Sequence, residues 1–391
     1  MGEFLFGKSS RRRWLGLLGS AGLAYGAGER YLRAFPVTSG SCWGGLAPGS
    51  GYSLQAIRLI NSHLPFHFAI ERQFDQPVIN TRVRTPGLCL EGGVATKVGS
   101  LYRLFSCQFD HGNWNKPTRL VYLVSRDGIK WKFQAVIKAA ATFRGIATPF
   151  WEPTPIFDHG KNRWYMFFVE YGGSSSEGGK IRMMASTVVG YDQGISGPWR
   201  DIGVIMGPGA DSQAWEGVQG VDSFYPYQAD GRWYAMYGSS TWSSTNRHPR
   251  WCIGLASASS LTGPWNRCEG NPLQVEKVYW ENPIVTRIGS WYVAVYDAAA
   301  PGSPTYIHNG GHIAGYTCSK DGIHWLPGGR ILVQPSGPAN WSSDLRTPLG
   351  LIHEGRSIYT MFYSGFMHGA GPIFSRYESV GMVKLRLVWN R

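Results

Sequence analysis

Two sequence markers recur along this chain with a shared period, and that repeat limits the fold more than any other feature. A tyrosine inside a short aromatic run appears, at a nearly even spacing, at Tyr102, Tyr165, Tyr234, Tyr292 and Tyr359. A tryptophan set behind a turn closes each unit, as in Ser125-Arg-Asp-Gly-Ile-Lys-Trp131, Ser196-Gly-Pro-Trp199, Thr262-Gly-Pro-Trp265 and Ser319-Lys-Asp-Gly-Ile-His-Trp325, and last at Trp389. The tryptophans keep the same period as the tyrosines, so two independent markers define one repeat. Each unit reads as a short inner strand, a glycine-containing turn, an aromatic second strand, a third strand such as the one opening at Cys252, and a fourth after the tryptophan turn. Four antiparallel strands repeated five times predict an all-β chain, a five-bladed β-propeller of four-stranded blades. A stack of β-sandwiches would not require one register of markers in every copy.

Composition agrees. Of 391 residues, 43% are hydrophobic, 14% are aromatic and 52 are glycine, which favours strands and tight turns over helices. The net charge is +13, but no lysine- or arginine-dense run follows Arg13, so nucleic acid is not the expected partner. The six cysteines form no Cys-x-x-Cys pair, which argues against zinc. Cys252 with Cys268, and Cys89 with Cys107, are the pairs that neighbouring strands bring within disulfide reach. His312 stands alone and is read as structural, so neither a metal nor a cofactor is expected.

The N-terminal segment, 1–28, reads as an address. Arg11-Arg12-Arg13-Trp14-Leu15 precedes a glycine-rich apolar run too short and too weakly apolar to span a bilayer comfortably. The arrangement is similar to a twin-arginine export signal, which implies a folded protein delivered to the periplasm or beyond without lasting membrane insertion. The expected domains are therefore a signal over 1–28, an irregular extension over 29–70 and a propeller over 71–391.

The inner strands carry the chemistry. At the head of each, the chain offers Leu90-Glu91, Trp151-Glu152, Val221-Asp222, Trp280-Glu281 and, in the fifth copy, Asp344-Leu-Arg346. A propeller aims one end of every inner strand at a shared funnel, so these groups should meet. Crowded carboxylates repel, and repulsion keeps at least one of them protonated, the state a general acid needs at neutral pH. The tryptophan surplus (17 in all) suggests sugar-stacking faces, with Trp151, Trp215, Trp242 and Trp280 as the candidates.

The pattern resembles the five-bladed β-propeller glycoside hydrolases, the group that holds the arabinanase/xylosidase and invertase/levanase families. Trp280-Glu281-Asn282-Pro283 is similar to the Trp-Glu-Cys-Pro run of the invertase-like enzymes, and Leu101-Tyr102-Arg103-Leu104-Phe105 to their Tyr-His-Leu-Phe strand. The resemblance covers roughly residues 75–391. It implies Glu281 as general acid, Asp222 as the aspartate that tunes it, Glu91 as base or nucleophile, and Arg346 and Glu152 as substrate contacts. In those families the first-blade acid is usually aspartate, and here it is Glu91 followed by Gly-Gly; Asp75 and Asp110 are the alternatives for its role. The implied activity is hydrolysis of glycosidic bonds in an oligo- or polysaccharide by an exported monomer. A non-catalytic carbohydrate-binding propeller and a glycoside phosphorylase are the competing readings. A sialidase would need six blades and three convergent arginines.

Overall fold

The computed structural model describes residues 54–81, 88–110, 119–139, 142–143, 146–147, 149–172, 177–241, 250–277, 279–299, 312–334, 341–342, 347–365 and 378–390. The chain is an all-β propeller of five four-stranded antiparallel sheets. Blade one comprises Leu88–Val98, Leu101–Asp110, Arg119–Ser125 and Trp131–Ala139. Blade two comprises Phe150–Asp158, Arg163–Glu170, Lys180–Val189 and Trp199–Met206. Blade three runs Asp222–Ala229, Arg232–Ser240, Trp251–Ala258 and Asn266–Arg267, and blade four Trp280–Ile288, Trp291–Ala299, His312–Ser319 and Gly329–Arg330. Each inner strand touches the inner strands of the blades on either side, and that of blade five touches that of blade one, so the ring closes.

Blade five departs from the sequence expectation. Its first three strands are Thr347–Gly355, Ile358–Gly365 and Ser379–Trp389, but the fourth is Phe66–Gln73, from the other end of the chain. The propeller sheet thus starts at Phe66 rather than at residue 71, ahead of which lies a helix, Leu54–Ile60. Phe66 and Phe68 are buried, and Phe68 meets the rings of Tyr316 and Tyr359 edge-on at 5.2 and 6.0 Å. Burial of these rings holds the two ends of the ring together.

The repeated markers have physical reasons. In the Ser-x-Asp-Gly turns the Gly128 and Gly322 amides donate to Ser125 and Ser319 (both 2.9 Å), while Asp127 and Asp321 each accept from two following amides at 2.7–2.8 Å. Both glycines hold φ near +75°, which other residues adopt only with strain. On the second strands, Tyr237, Tyr296 and Tyr363 each face a third-strand glycine, Gly254, Gly315 and Gly381. A Cβ on Gly315 or Gly381 would lie 2.4 Å from the facing tyrosine ring, so the ring fills the missing side chain's place. Neither expected disulfide forms, since Cys89, Cys107, Cys252 and Cys268 are all thiols. Among the described residues no helix is long and apolar enough to cross a membrane. Residues 1–28 lie outside them.

Candidate active site

A bulge interrupts every inner strand near its start, and it sets where the acids point. The register breaks after Glu91, Trp151, Asp222, Glu281 and Pro348. A bulge adds one unpaired residue and bends the strand, which re-aims the flanking side chains. Glu91, Asp222 and Glu281 each occupy the last paired position, opposite Cys107, Gly238 and Asp297. The residue after each lies in the left-handed region: Gly92 at φ 59°, Ser223 at 38° and Asn282 at 54°. Strain of this kind costs of order 1–3 kcal/mol at a non-glycine residue and collects at functional sites.

Blade two is out of step. Trp151 holds the paired position, opposite Val169, and Glu152 takes the left-handed one at φ 54°. The Trp-Glu dipeptides at 151–152 and 280–281 look equivalent in sequence but differ by one residue in structure. Glu152 reaches the cluster from its shifted place. Its Cγ lies 3.0 Å from where a Cβ on Gly92 would sit, and the Asn282 amide, with its nitrogen turned inward, donates to its carboxylate. Gly92 is therefore the space that Glu152 occupies. Gly93 serves the bulge itself, because a Cβ there would stand 2.1 Å from the Phe105 carbonyl oxygen.

The acids are brought together as the repeat predicts. Asp222 is 4% exposed, while Glu91, Glu152 and Glu281 are half-buried. Burial raises Glu281 well above the ordinary carboxyl range; the Asp222 charge adds to this, and a hydrogen bond donated by the Tyr279 hydroxyl opposes it. Asp222 is also raised by burial, but less, because the neighbouring Tyr171, the Ser223 amide (3.0 Å), Glu281 and the Gln219 amide (2.9 Å) oppose the rise. Burial, then the charges of Asp297 and Asp222, push Glu91 up to about 8. Glu152 is likewise raised by burial and by Asp222, Glu281 and Glu91.

Sequence reasoning missed a second group of acids. Asp297 is buried opposite Glu281 and accepts a 2.8 Å hydrogen bond from Thr347, and Glu378 is buried on blade five. Asp297 was within reach of the sequence, because the tight turn at Gly289-Ser290 folds the second strand back beside Glu281. Tyr171, Gln219, Tyr279 and Glu378 carry no local signal. The described funnel groups are acidic, so the net charge of +13 is not gathered there.

The tryptophans are placed by packing. Trp280 is 1% exposed, with its ring edge-on to Tyr296 at 5.2 Å, and Trp151 is 4% exposed beside Phe109 at 5.3 Å. A buried ring offers no face to a sugar. Trp215 is half-buried against Tyr237 (5.4 Å) and donates to Gln213 at 2.7 Å. Asp75 is exposed just past the end of the outermost strand of blade five. The backbone of Asp110 pairs with Leu88. Arg346, Trp242 and the side chain of His312 lie outside the described residues, and among the described ones no three His, Cys, Asp or Glu residues group as metal ligands would. The other half of the channel, past the bulges, encloses a cavity of about 450 Å³ reached by Thr96, Tyr225 and Thr286.

No family model matches the sequence, and no curated protein does. Solved structures match in shape. A glycoside hydrolase superposes with a TM-score of 0.62 at 12% identity, covering 85% of this chain and 96% of its own. The fold is that of the five-bladed glycoside hydrolases. A structure of the BT0996 RGII complex gives 0.61 at 13% identity over 84% and 94%. Zg3597, a family 117 glycoside hydrolase of the marine bacterium Zobellia galactanivorans, gives 0.55 at 14% over 83% and 91%. At these identities the likeness is one of fold.

Proposed function

We propose that this protein is a glycosidase working at the acid-lined end of its channel on an oligo- or polysaccharide. Glu281 is the proton donor, Asp222 keeps it protonated and oriented, and Glu91 is the base or nucleophile. The observation that carries this reading is the unequal support of two neighbouring acids: the Gln219 amide (2.9 Å) and the Ser223 amide (3.0 Å) donate to Asp222, while Glu281 has the Tyr279 hydroxyl. A carboxylic acid that stays neutral beside an anionic partner is the group that protonates a leaving glycosidic oxygen. As that proton leaves, the new Glu281 carboxylate keeps the Tyr279 hydroxyl as a donor. Glu91 then attacks the anomeric carbon or takes a proton from the attacking water. Glu152, anchored by Asn282, holds a sugar hydroxyl beside the reacting bond. The segment 1–28 belongs to the same proposal as an export signal, tested by fusing it to a reporter and following the reporter's compartment.

The direct test is a panel of aryl arabinofuranosides, xylosides, galactosides and fructosides, with and without phosphate. Turnover by the natural protein and its loss in Glu281→Gln, with sugar binding retained, is the expected result. Binding without turnover of any glycoside by the natural protein sinks the enzymatic reading in favour of a carbohydrate-binding propeller. Turnover that requires phosphate makes the protein a phosphorylase.

A further inference from the structure

We propose that Glu378 is a positioning residue for Glu91: the two buried carboxyls share one proton, Glu378 keeps it, and Glu91 is thereby the anion presented to the funnel. Glu378 stands at the head of the third strand of blade five, beside the inner strand of blade one. The Leu90 amide and the Thr81 hydroxyl both donate to its carbonyl oxygen at 3.1 Å, which fixes it one residue from Glu91 along that contact. Its side chain is fully buried (0% exposed), and among the described residues neither carboxyl oxygen has a hydrogen-bond partner. Glu91 Oε2 is also buried without a partner among them.

The charged groups facing this pair are acids, and the Cys89 thiol meets the Glu378 amide at 3.5 Å. Glu91 feels Asp297 from blade four and Asp222 from blade three, and Glu152 of blade two leans over the adjoining Gly92. Glu378 feels Glu91 and Asp297. Among the described residues no lysine, arginine or histidine forms an ion pair with either. An ionised carboxylate buried without a partner costs several kcal/mol, and two carboxylates sharing a low-dielectric site do not both ionise. The first charge goes to whichever member solvent reaches. Glu91 is half-buried and Glu378 sees no solvent, so the charge falls on Glu91. Burial followed by the neighbouring charges raises both, Glu91 to about 8 and Glu378 well above its ordinary value, in keeping with that order. A neutral Glu378 spares Glu91 a third negative neighbour beside Asp297 and Asp222, and a proton lost from Glu378 drives one onto Glu91.

This rests on the glycosidase reading only for its effect on rate; the shared proton is tested without substrate. The full chain is labelled with carboxyl-¹³C glutamate, and the Glu91 and Glu378 signals, assigned from Glu91→Gln and Glu378→Gln, are followed by NMR across pH. In the natural protein Glu378 is expected to stay protonated to higher pH than Glu91. In Glu378→Gln the Glu91 midpoint is expected to stay in place, because glutamine is as neutral as protonated Glu378. In Glu91→Gln, which removes the charge facing Glu378, the Glu378 midpoint is expected to fall by about one pH unit or more. A Glu91 midpoint that falls in Glu378→Gln, a Glu378 midpoint unmoved in Glu91→Gln, or Glu378 ionised while Glu91 is protonated, overturns the proposal. If Glu378→Gln does not fold, Glu91→Gln decides alone: it removes the charge that Glu378 faces, so the Glu378 midpoint must fall. Where a glycoside is turned over, the acid limb of kcat/KM in Glu378→Gln keeps the Glu91 midpoint of the natural protein. If no glycoside is turned over, the titration still decides the shared proton.

Discussion

Asp222 and Glu281 face each other with unequal sets of hydrogen-bond donors, and that difference makes one the better anion and the other the better proton donor. Asp222 is buried and has two donors, the Gln219 amide (2.9 Å) and the Ser223 amide (3.0 Å), whereas the half-buried Glu281 has the Tyr279 hydroxyl. The extra donor stabilises charge on Asp222. Removing that charge should release the Glu281 proton earlier. In Asp222→Asn the alkaline limb of kcat/KM is expected to move down by about one pH unit, since a negative neighbour favours the protonated form. A pH–rate profile on an aryl glycoside checks it. Glu281→Gln, by contrast, should cost about 10²–10⁴-fold in kcat at every pH on substrates that need leaving-group protonation.

Stability should fall as pH rises. Glu91, Glu152, Glu281 and Glu378 are all raised in the folded state, so the native chain binds more protons than the unfolded one. With that sign, stability is full below the unfolded value of 4.5 and declines as pH climbs through the folded values, which for Glu91 means a window from 4.5 to about 8. Denaturant midpoints at pH 5 and about 8 test this, and Glu91→Gln should flatten the slope.

Glu354 has the opposite sign. Burial alone would raise it, but hydrogen bonds from Lys97, Thr360 and Tyr102 outweigh that and hold it down to about 2. Its contribution is present above 4.5 and is lost as pH falls toward 2. Replacing it by glutamine removes the charge to which Lys97 (2.7 Å) and Lys384 (3.2 Å) bind, linking blade one to blade five. A loss of about 1–3 kcal/mol is expected at neutral pH, shrinking in acid, read from denaturant unfolding.

Gly93→Ala should be poorly tolerated. The added Cβ would press on the Phe105 carbonyl at a φ of 88°, so backbone strain and a backbone clash combine. A cost of at least about 2 kcal/mol is expected, measured as a fall in the denaturant midpoint.

The ring's closure should be equally exposed to a single change. Phe68 is 1% exposed on the strand that the N-terminal part of the chain lends to blade five. Phe68→Ala is expected to cost about 3–5 kcal/mol in global unfolding, the usual penalty for emptying a core phenylalanine site.

The repeat of aromatic strand and tryptophan turn was enough to set the fold class, the number of blades and the meeting of Glu91, Asp222 and Glu281, because those depend on spacing and side-chain type, which a linear pattern carries. The sequence likewise marked the Ser-x-Asp-Gly turns, whose hydrogen bonds are local. It misled at Trp151-Glu152, where a dipeptide identical to Trp280-Glu281 sits one position further along its bulge. It also missed the origin of the last strand, since the pairing of Phe66–Gln73 with Ser379–Trp389 joins segments from opposite ends of the chain. Burial was the other unknown. Trp151 and Trp280 read as sugar platforms and are core, and Glu378 had no mark at all. Alternation and period report which residues lie on one face of a strand. Whether that face meets solvent, another blade or another carboxylate is decided only when five sheets close into a ring.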